Sequence, residues 1–214
     1  PVVSAELHGR TLHWETRAAV AGLSVGAVQP GSRVELARVD AEGHFVLAPT
    51  AVPPLLQAWG TVSGASWCTV RAGVVDRADA RGDVLVLVAP SRPFSVHVSD
   101  ASGASLTGVH VSLEIDPAIW RDDAEVQTRT SRLGATCVTD AKGSGEFADV
   151  PGMPGASLQA MLAGYETVRV DLPAKVGSRE GGHIEIELRR LGTLVPVHGH
   201  VLCADGAPAP AAEV

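Results

Sequence analysis

The side chains in this 214-residue chain with chemistry to offer are eight histidines, three cysteines and twenty-four carboxylates. His198 and His200 stand at i and i+2, so on a strand both point to one face, a two-ligand edge for a metal ion. No HExxH and no acidic EF-hand loop accompanies them, and the sequence predicts solvent-facing strand residues there. Glu185 and Glu187 alternate with Ile184, Ile186 and Leu188, which sets the carboxylates side by side on one strand face. Acid–base work needs them across a cleft, so they read as a solvated outer face. Asp122 and Asp123, after Trp120-Arg121, read as a polar loop rather than a calcium site. Cys68, Cys137 and Cys203 lie roughly seventy residues apart without a CxxC, which excludes zinc ribbons and disulfide-dense scaffolds and leaves three small buried hydrophobes. There is no GxSxG, and Gly143-Ser144-Gly145 is too short for a phosphate cradle and precedes a strand. The sequence therefore predicts no catalytic residue, no metal, no cofactor and no enzyme.

Tryptophan is the remaining candidate. Aromatics make up 4% of the chain, and four of the eight are Trp14, Trp59, Trp67 and Trp120. Exposed indoles bind sugars by stacking on their apolar faces. Trp59 and Trp67 flank Gly60-Thr61-Val62-Ser63-Gly64-Ala65-Ser66, a small-residue loop that would present both rings. Trp59, Trp67 and Trp120 are thus the candidate carbohydrate-binding residues. The competing reading has tryptophans plugging the ends of a β-sandwich or the joint between two of them.

The elements that would position these residues follow from composition and period. With 45% hydrophobic and 19% charged residues the chain can bury a core. The net charge of −7 shows no basic stripe, which argues against a nucleic-acid partner. No apolar run reaches membrane-spanning length. Glycine (23) and proline (14) are dispersed, as many short strands with frequent turns require. Arginine almost replaces lysine, which occurs only at Lys142 and Lys175, and alanine is abundant: the mark of a GC-rich, bacterial genome. The chain opens on Pro1-Val2-Val3-Ser4 without a basic and apolar leader and closes in Ala207-Pro208-Ala209-Pro210, and it reads as a window from a longer protein.

A repeat of about one hundred residues organises the chain. Val39-Asp40-Ala41-Glu42-Gly43 recurs as Thr139-Asp140-Ala141-Lys142-Gly143, followed by Phe45 and Phe147, then Pro49 and Pro151. Leu56-Gln57-Ala58 recurs as Leu158-Gln159-Ala160, and Val84 to Val88 as Ile184 to Leu188. Val96-His97-Val98 returns as Gly199-His200-Val201. The predicted boundaries are 1–90, a copy lacking its first strand; 91–192, a complete copy; and 193–214, the start of a third. Ala89-Pro90-Ser91-Arg92-Pro93 and Arg190-Leu191-Gly192-Thr193 would be short, stiff linkers. Within a copy, alternation at Phe94, Val96, Val98 and at Val109, Val111, Leu113, Ile115 marks half-buried strands, with Asp140 to Gly145 a hairpin loop. About seven strands per copy make the fold class all-β: tandem Greek-key β-sandwiches. The segment from Trp120 to Arg132 is polar and holds one short helix or an extended loop.

The succession of a strand, an Asp-x-x-Gly turn (Asp140 to Gly143), Phe147, Pro151-Gly152, a strand and Ala163-Gly164-Tyr165 resembles the carboxypeptidase regulatory-like domain. That resemblance implies a transthyretin-like or Ig-like seven-stranded sandwich, found beside metallocarboxypeptidase domains and in tandem arrays of bacterial surface proteins. It covers 94–214 well and 1–90 loosely, where Ala58-Trp59-Gly60 stands for Ala-Gly-Tyr, and residues 116–136 are extra. The family brings no catalytic residues. It implies a non-catalytic spacer module of an extracellular or cell-envelope protein, whose partners are neighbouring domains of the same chain. The alternatives are a starch-binding-like module for polysaccharide and an accessory domain of a metallocarboxypeptidase.

Overall fold

The computed structural model describes residues 6–29, 32–48, 53–75, 83–132, 134–173 and 182–192. His198, His200, Cys203 and the predicted third copy at 193–214 lie outside these residues. The described chain is all-β apart from two short helical pieces in 116–129. Its strands are β1 (Leu7–His13), β2 (Ser24–Gln29), β3 (Ser32–Arg38), β4 (His44–Leu47), β5 (Leu55–Val62), β6 (Ala65–Val74) and β7 (Asp83–Asp100). There follow β8 (His110–Ile115), β9 (Thr130–Arg132), β10 (Ala135–Val138), β11 (Ser144–Pro151), β12 (Ala156–Met161), β13 (Val168–Asp171) and β14 (Gly182–Leu188). They form a ten-stranded sheet, with β3-β2-β5-β6-β7-β1-β4 as its path, and a four-stranded sheet, β10-β8-β12-β13.

β7 runs 18 residues without a break, so Ala89-Pro90-Ser91-Arg92-Pro93 is strand and not the linker its prolines suggest. Proline is tolerated where the ladder does not need its missing N–H. The first half of β7 lies parallel to β1 (Gly9 opposite Val84), and the second half lies parallel to β14 (Val96 opposite Ile184). β1 therefore stands to the first half of β7 as the second half of β7 stands to β14.

The same backbone bonds recur along the chain. Gly22 N–H donates to Val39 O at 3.1 Å, and Gly108 N–H donates to Thr139 O at 3.0 Å. Val20 N–H bonds Thr11 O, and Leu106 N–H bonds Val98 O. Asp40 Oδ1 accepts from the N–H groups of Glu42 and His44, and Asp140 Oδ1 accepts from those of Lys142 and Ser144. This Asx geometry is why Asp opens both turns, and the following Gly43 and Gly143 take φ of +83° and +74°. The register set by these turns places Phe45 level with Gly145, two residues short of Phe147, so the phenylalanines share a face and not a position. Phe45 lies over Gly9 on β1, where a Cβ would come within 2.1 Å of its ring.

Two apolar clusters result. One joins Leu23, Val25, Phe45, Leu47, Leu56 and Ala58 to Val84, Val86 and Val88. The other joins Phe94, Val96, Val98, Val111, Phe147, Leu158, Ile186 and Leu188, and it reaches back to Val70, Leu85, Leu87 and Ala89. Val84 to Ala89 are each at most 1% exposed. Both faces of this stretch are covered, which is why it reads as an unbroken apolar run. Ile184 to Leu188 alternates because its outer face is open to water, with Glu185 and Glu187 exposed.

Candidate functional site

What covers the outer face of Leu85 and Leu87 is the segment 116–132, the residues that the second stretch has and the first lacks. It leaves β8, crosses to the N-terminal half and docks there. Asp116 starts a 3-10 turn (Pro117–Trp120) by accepting the Ala118 N–H at 2.8 Å, with Pro117 supplying the preset φ. Asp123 then caps α1 (Ala124–Arg129), accepting the Val126 N–H at 3.0 Å. The segment ends in β9, which pairs antiparallel with β6: Ala72 opposite Ser131 and Gly73 opposite Thr130.

Trp120 is its anchor. The ring is 3% exposed and meets Trp14 edge-on, centroids 6.1 Å apart at 90°. The guanidinium groups of Arg17 and Arg71 lie over it at 5.9 and 6.0 Å. Arg71 is itself 7% exposed, and its Nε donates to Thr130 Oγ1 at 2.8 Å. A buried indole removes about 150–250 Å² from water, on the order of 5 kcal/mol at 25 cal/mol per Å². Ion pairs add register: Arg17 with Asp123, Arg10 with Glu125 at 3.6 Å, and Arg33 with Asp149. All are partly solvated, and such pairs contribute about 0–1 kcal/mol each, so β7 and Trp120 hold the joint while the charges align it.

Beside this joint a cleft of about 460 Å³ opens between the halves, lined by Trp59, Arg33 and Gln57 on one side and Thr136, Glu146 and Asp149 on the other. Arg33 lies over the Trp59 ring at 5.7 Å and also pairs with Asp149, which accepts from Ser91 Oγ at 3.0 Å. Cys68 lies beneath; burial pushes its thiol up to about 12, and the Asp149 carboxylate adds to the shift. Such a thiol carries almost no thiolate at neutral pH and is inert.

The three tryptophans singled out for sugar stacking do not form one platform. Gly60 pairs with Trp67 and Ser63-Gly64 make a tight turn, so the presumed loop is the β5–β6 hairpin. Cross-strand partners share a face, so Trp67 and its neighbour Trp59 point to opposite sides. Trp67 packs on the N-terminal cluster and meets His13 edge-on at 5.7 Å. Trp120 is buried in the joint, 3% exposed, at the edge of two further clefts beside Arg71 and Pro117. Trp59, half-buried, faces the 460 Å³ cleft. Trp14 and Arg71 belong to the joint; Trp14 was among the tryptophans that the competing reading set at sandwich ends or joints, and Arg71 was not singled out. The signal for them was the contrast of Leu85 and Leu87 with Glu185 and Glu187. Among the described residues no group of three or more His, Cys, Asp or Glu could hold a metal ion, and no helix is long and apolar enough to cross a membrane.

No family model matches the chain, and no curated protein matches it. Solved structures give likenesses at low identity. The shaft pilin SpaA of Lactobacillus rhamnosus GG is 11% identical over 89% of this chain and 99% of that chain, with a TM-score of 0.33. The Bacillus anthracis TIE protein is 10% identical over 87% of this chain and 34% of its own, at 0.35. The 3-chlorocatechol 1,2-dioxygenase of Rhodococcus opacus 1CP is 14% identical over 48% of this chain and 61% of its own, at 0.36. Likenesses of this strength do not fix a family.

Proposed function

We propose that this chain is a rigid structural segment: two Greek-key β-sandwich units, 1–90 and 91–192, followed by the start of a third near 193. In this reading it is a non-catalytic spacer in a larger bacterial extracellular or cell-surface protein, of the kind its resemblance to carboxypeptidase regulatory-like domains implies. The observation that carries it is β7, whose first half completes one unit and whose second half opens the next. A hinge needs a flexible stretch, and a paired strand offers none. The 116–132 segment supports the same reading, since it spends sequence on fastening one half to the other. Backbone ¹⁵N relaxation tests it. Both halves should report one rotational correlation time, and a Gly-Ser-Gly-Ser insertion after Pro90 should split it into two. Two correlation times in the uninterrupted chain would defeat the reading.

A second reading, polysaccharide binding, keeps one observation in its favour: Trp59 at the 460 Å³ cleft beside Gln57, Thr136 and Glu146. Retention on a polysaccharide array that Trp59→Ala abolishes and Trp67→Ala leaves intact would support it. Absence of retention on every glycan would remove it.

A further inference from the structure

On the outer face of the C-terminal half, Ser105, His97 and Glu185 form a connected row. Ser105 Oγ lies 3.1 Å from His97 Nε2, and His97 Nδ1 lies 2.7 Å from Glu185 Oε2. The other carboxylate oxygen, Oε1, is 2.7 Å from His183 Nε2, and His183 Nδ1 is 2.8 Å from Ser95 Oγ. Each oxygen of Glu185 thus takes one imidazole, and the carboxylate is fixed in orientation. With Glu185 ionised, His97 places its proton on Nδ1, which leaves the Nε2 lone pair facing the Ser105 hydroxyl. Hydrogen bonds from both imidazoles hold the Glu185 carboxyl below the usual carboxylate range and keep it in that role.

The fold does not require this row. The matching positions on the N-terminal half carry Arg10, Ala19 and Leu85: Arg10 pairs with Leu85 as His97 pairs with Glu185. Gly43 approaches the Ala19 Cβ as Gly143 approaches the Ser105 Cβ. The identical backbone is built there without a hydroxyl, an imidazole or a carboxylate. Ser105 is also exposed, so an electrophile reaches it without any opening motion.

We propose that Ser105 is an activated nucleophile, a site of acylation by activated esters, with His97 as its general base and Glu185 positioning His97. The Ser105 Oγ adds to the acyl carbon while its proton passes to His97 Nε2. The bond from that carbon to the aryl oxygen breaks, and the departing oxide takes up the proton from His97. The acyl group remains as an ester on Ser105, and no oxidant or reductant is needed. This chemistry is independent of the spacer reading.

The probe is p-nitrophenyl acetate, with the acetylated residue located by peptide mass spectrometry. Ser102 is the internal reference: it is also exposed, but its hydroxyl is bonded to the Asp100 carboxylate at 2.6 Å and has no imidazole. A positioned general base accelerates such a step by about 100-fold or more. Ser105 should therefore be acetylated at least about 100-fold faster than Ser102. His97→Gln should bring the two rates together, and Ser105→Ala should remove the fast event. Glu185→Gln, which no longer fixes the proton on His97 Nδ1, should slow labelling of Ser105 while leaving the Ser102 rate unchanged. Equal rates at Ser105 and Ser102, or a Ser105 rate unchanged in His97→Gln, would overturn the proposal.

Discussion

Trp120 concentrates more of the joint in one side chain than any charge does. Trp120→Ala should cost about 3–5 kcal/mol in urea unfolding, the range for truncating a buried large aromatic. Against a total of about 5–15 kcal/mol for a domain, that loss is large. Trp59→Ala, at a half-buried ring, should cost clearly less; equal losses would contradict the burial assigned to Trp120. The turn aspartates carry a pH signature. Asp140 is held below the usual carboxylate range, chiefly by the Ser144 N–H and then by that of Lys142. Asp100 is lowered likewise by the hydroxyl and N–H of Ser102. A carboxyl with a depressed folded-state pKa stabilises the fold above its unfolded pKa, and that stability is lost as pH falls through the folded value. Melting temperature should therefore drop as the solution passes below about pH 4, and Asp140→Asn should show a smaller drop than the parent. Asp40, Asp140 and both turns were legible in the sequence because an Asx turn is a local device. A tryptophan plugging a joint was one of two readings of Trp120, but its partners Trp14 and Arg71 were not legible, because they lie far from it in sequence.

The strand β7 shows how two readings of one pattern diverge. Its prolines, Pro90 and Pro93, suggested a linker, yet the pairs Trp67 with Pro90 and Ser66 with Ser91 carry the ladder through. Proline marks a break only where its N–H is needed. The Asp-x-x-Gly turns and period-two strands were legible because both are short-range signals. The handover within one strand was not, because it depends on where β1 and β14 pair. The difference between Val84-Leu85-Val86-Leu87-Val88 and Ile184-Glu185-Ile186-Glu187-Leu188 is written in the sequence, and it encodes which face is covered. Replacing Leu85 and Leu87 together by Glu would write the second pattern into the first strand. Two carboxylates would then be taken out of water under the 116–132 segment, at a cost of several kcal/mol, since Arg10, the register partner of Leu85, already pairs with Asp83 and Glu125. Hydrogen exchange at Val126, Thr130 and Ser131 should accelerate before exchange at Val25 or Leu56. Uniform acceleration across the chain would mean that the segment is not a separable clasp.

At the scale of the molecule, two apolar clusters share one strand, so the halves are held as one body by backbone pairing, by the 116–132 segment and by three ion pairs. The measurement closest to this claim is a distance distribution between spin labels on the two halves. Val46→Cys and Met161→Cys offer exposed positions, 46% and 42% accessible. Cys137 and Cys203 would be replaced by Ala, while Cys68, buried with its thiol raised to about 12, can stay. Electron–electron dipolar spectroscopy should give one narrow distance peak, and a Gly-Ser-Gly-Ser insertion after Pro90 in the same chain should broaden it. A broad or two-peaked distribution in the uninterrupted chain would contradict the rigid joint.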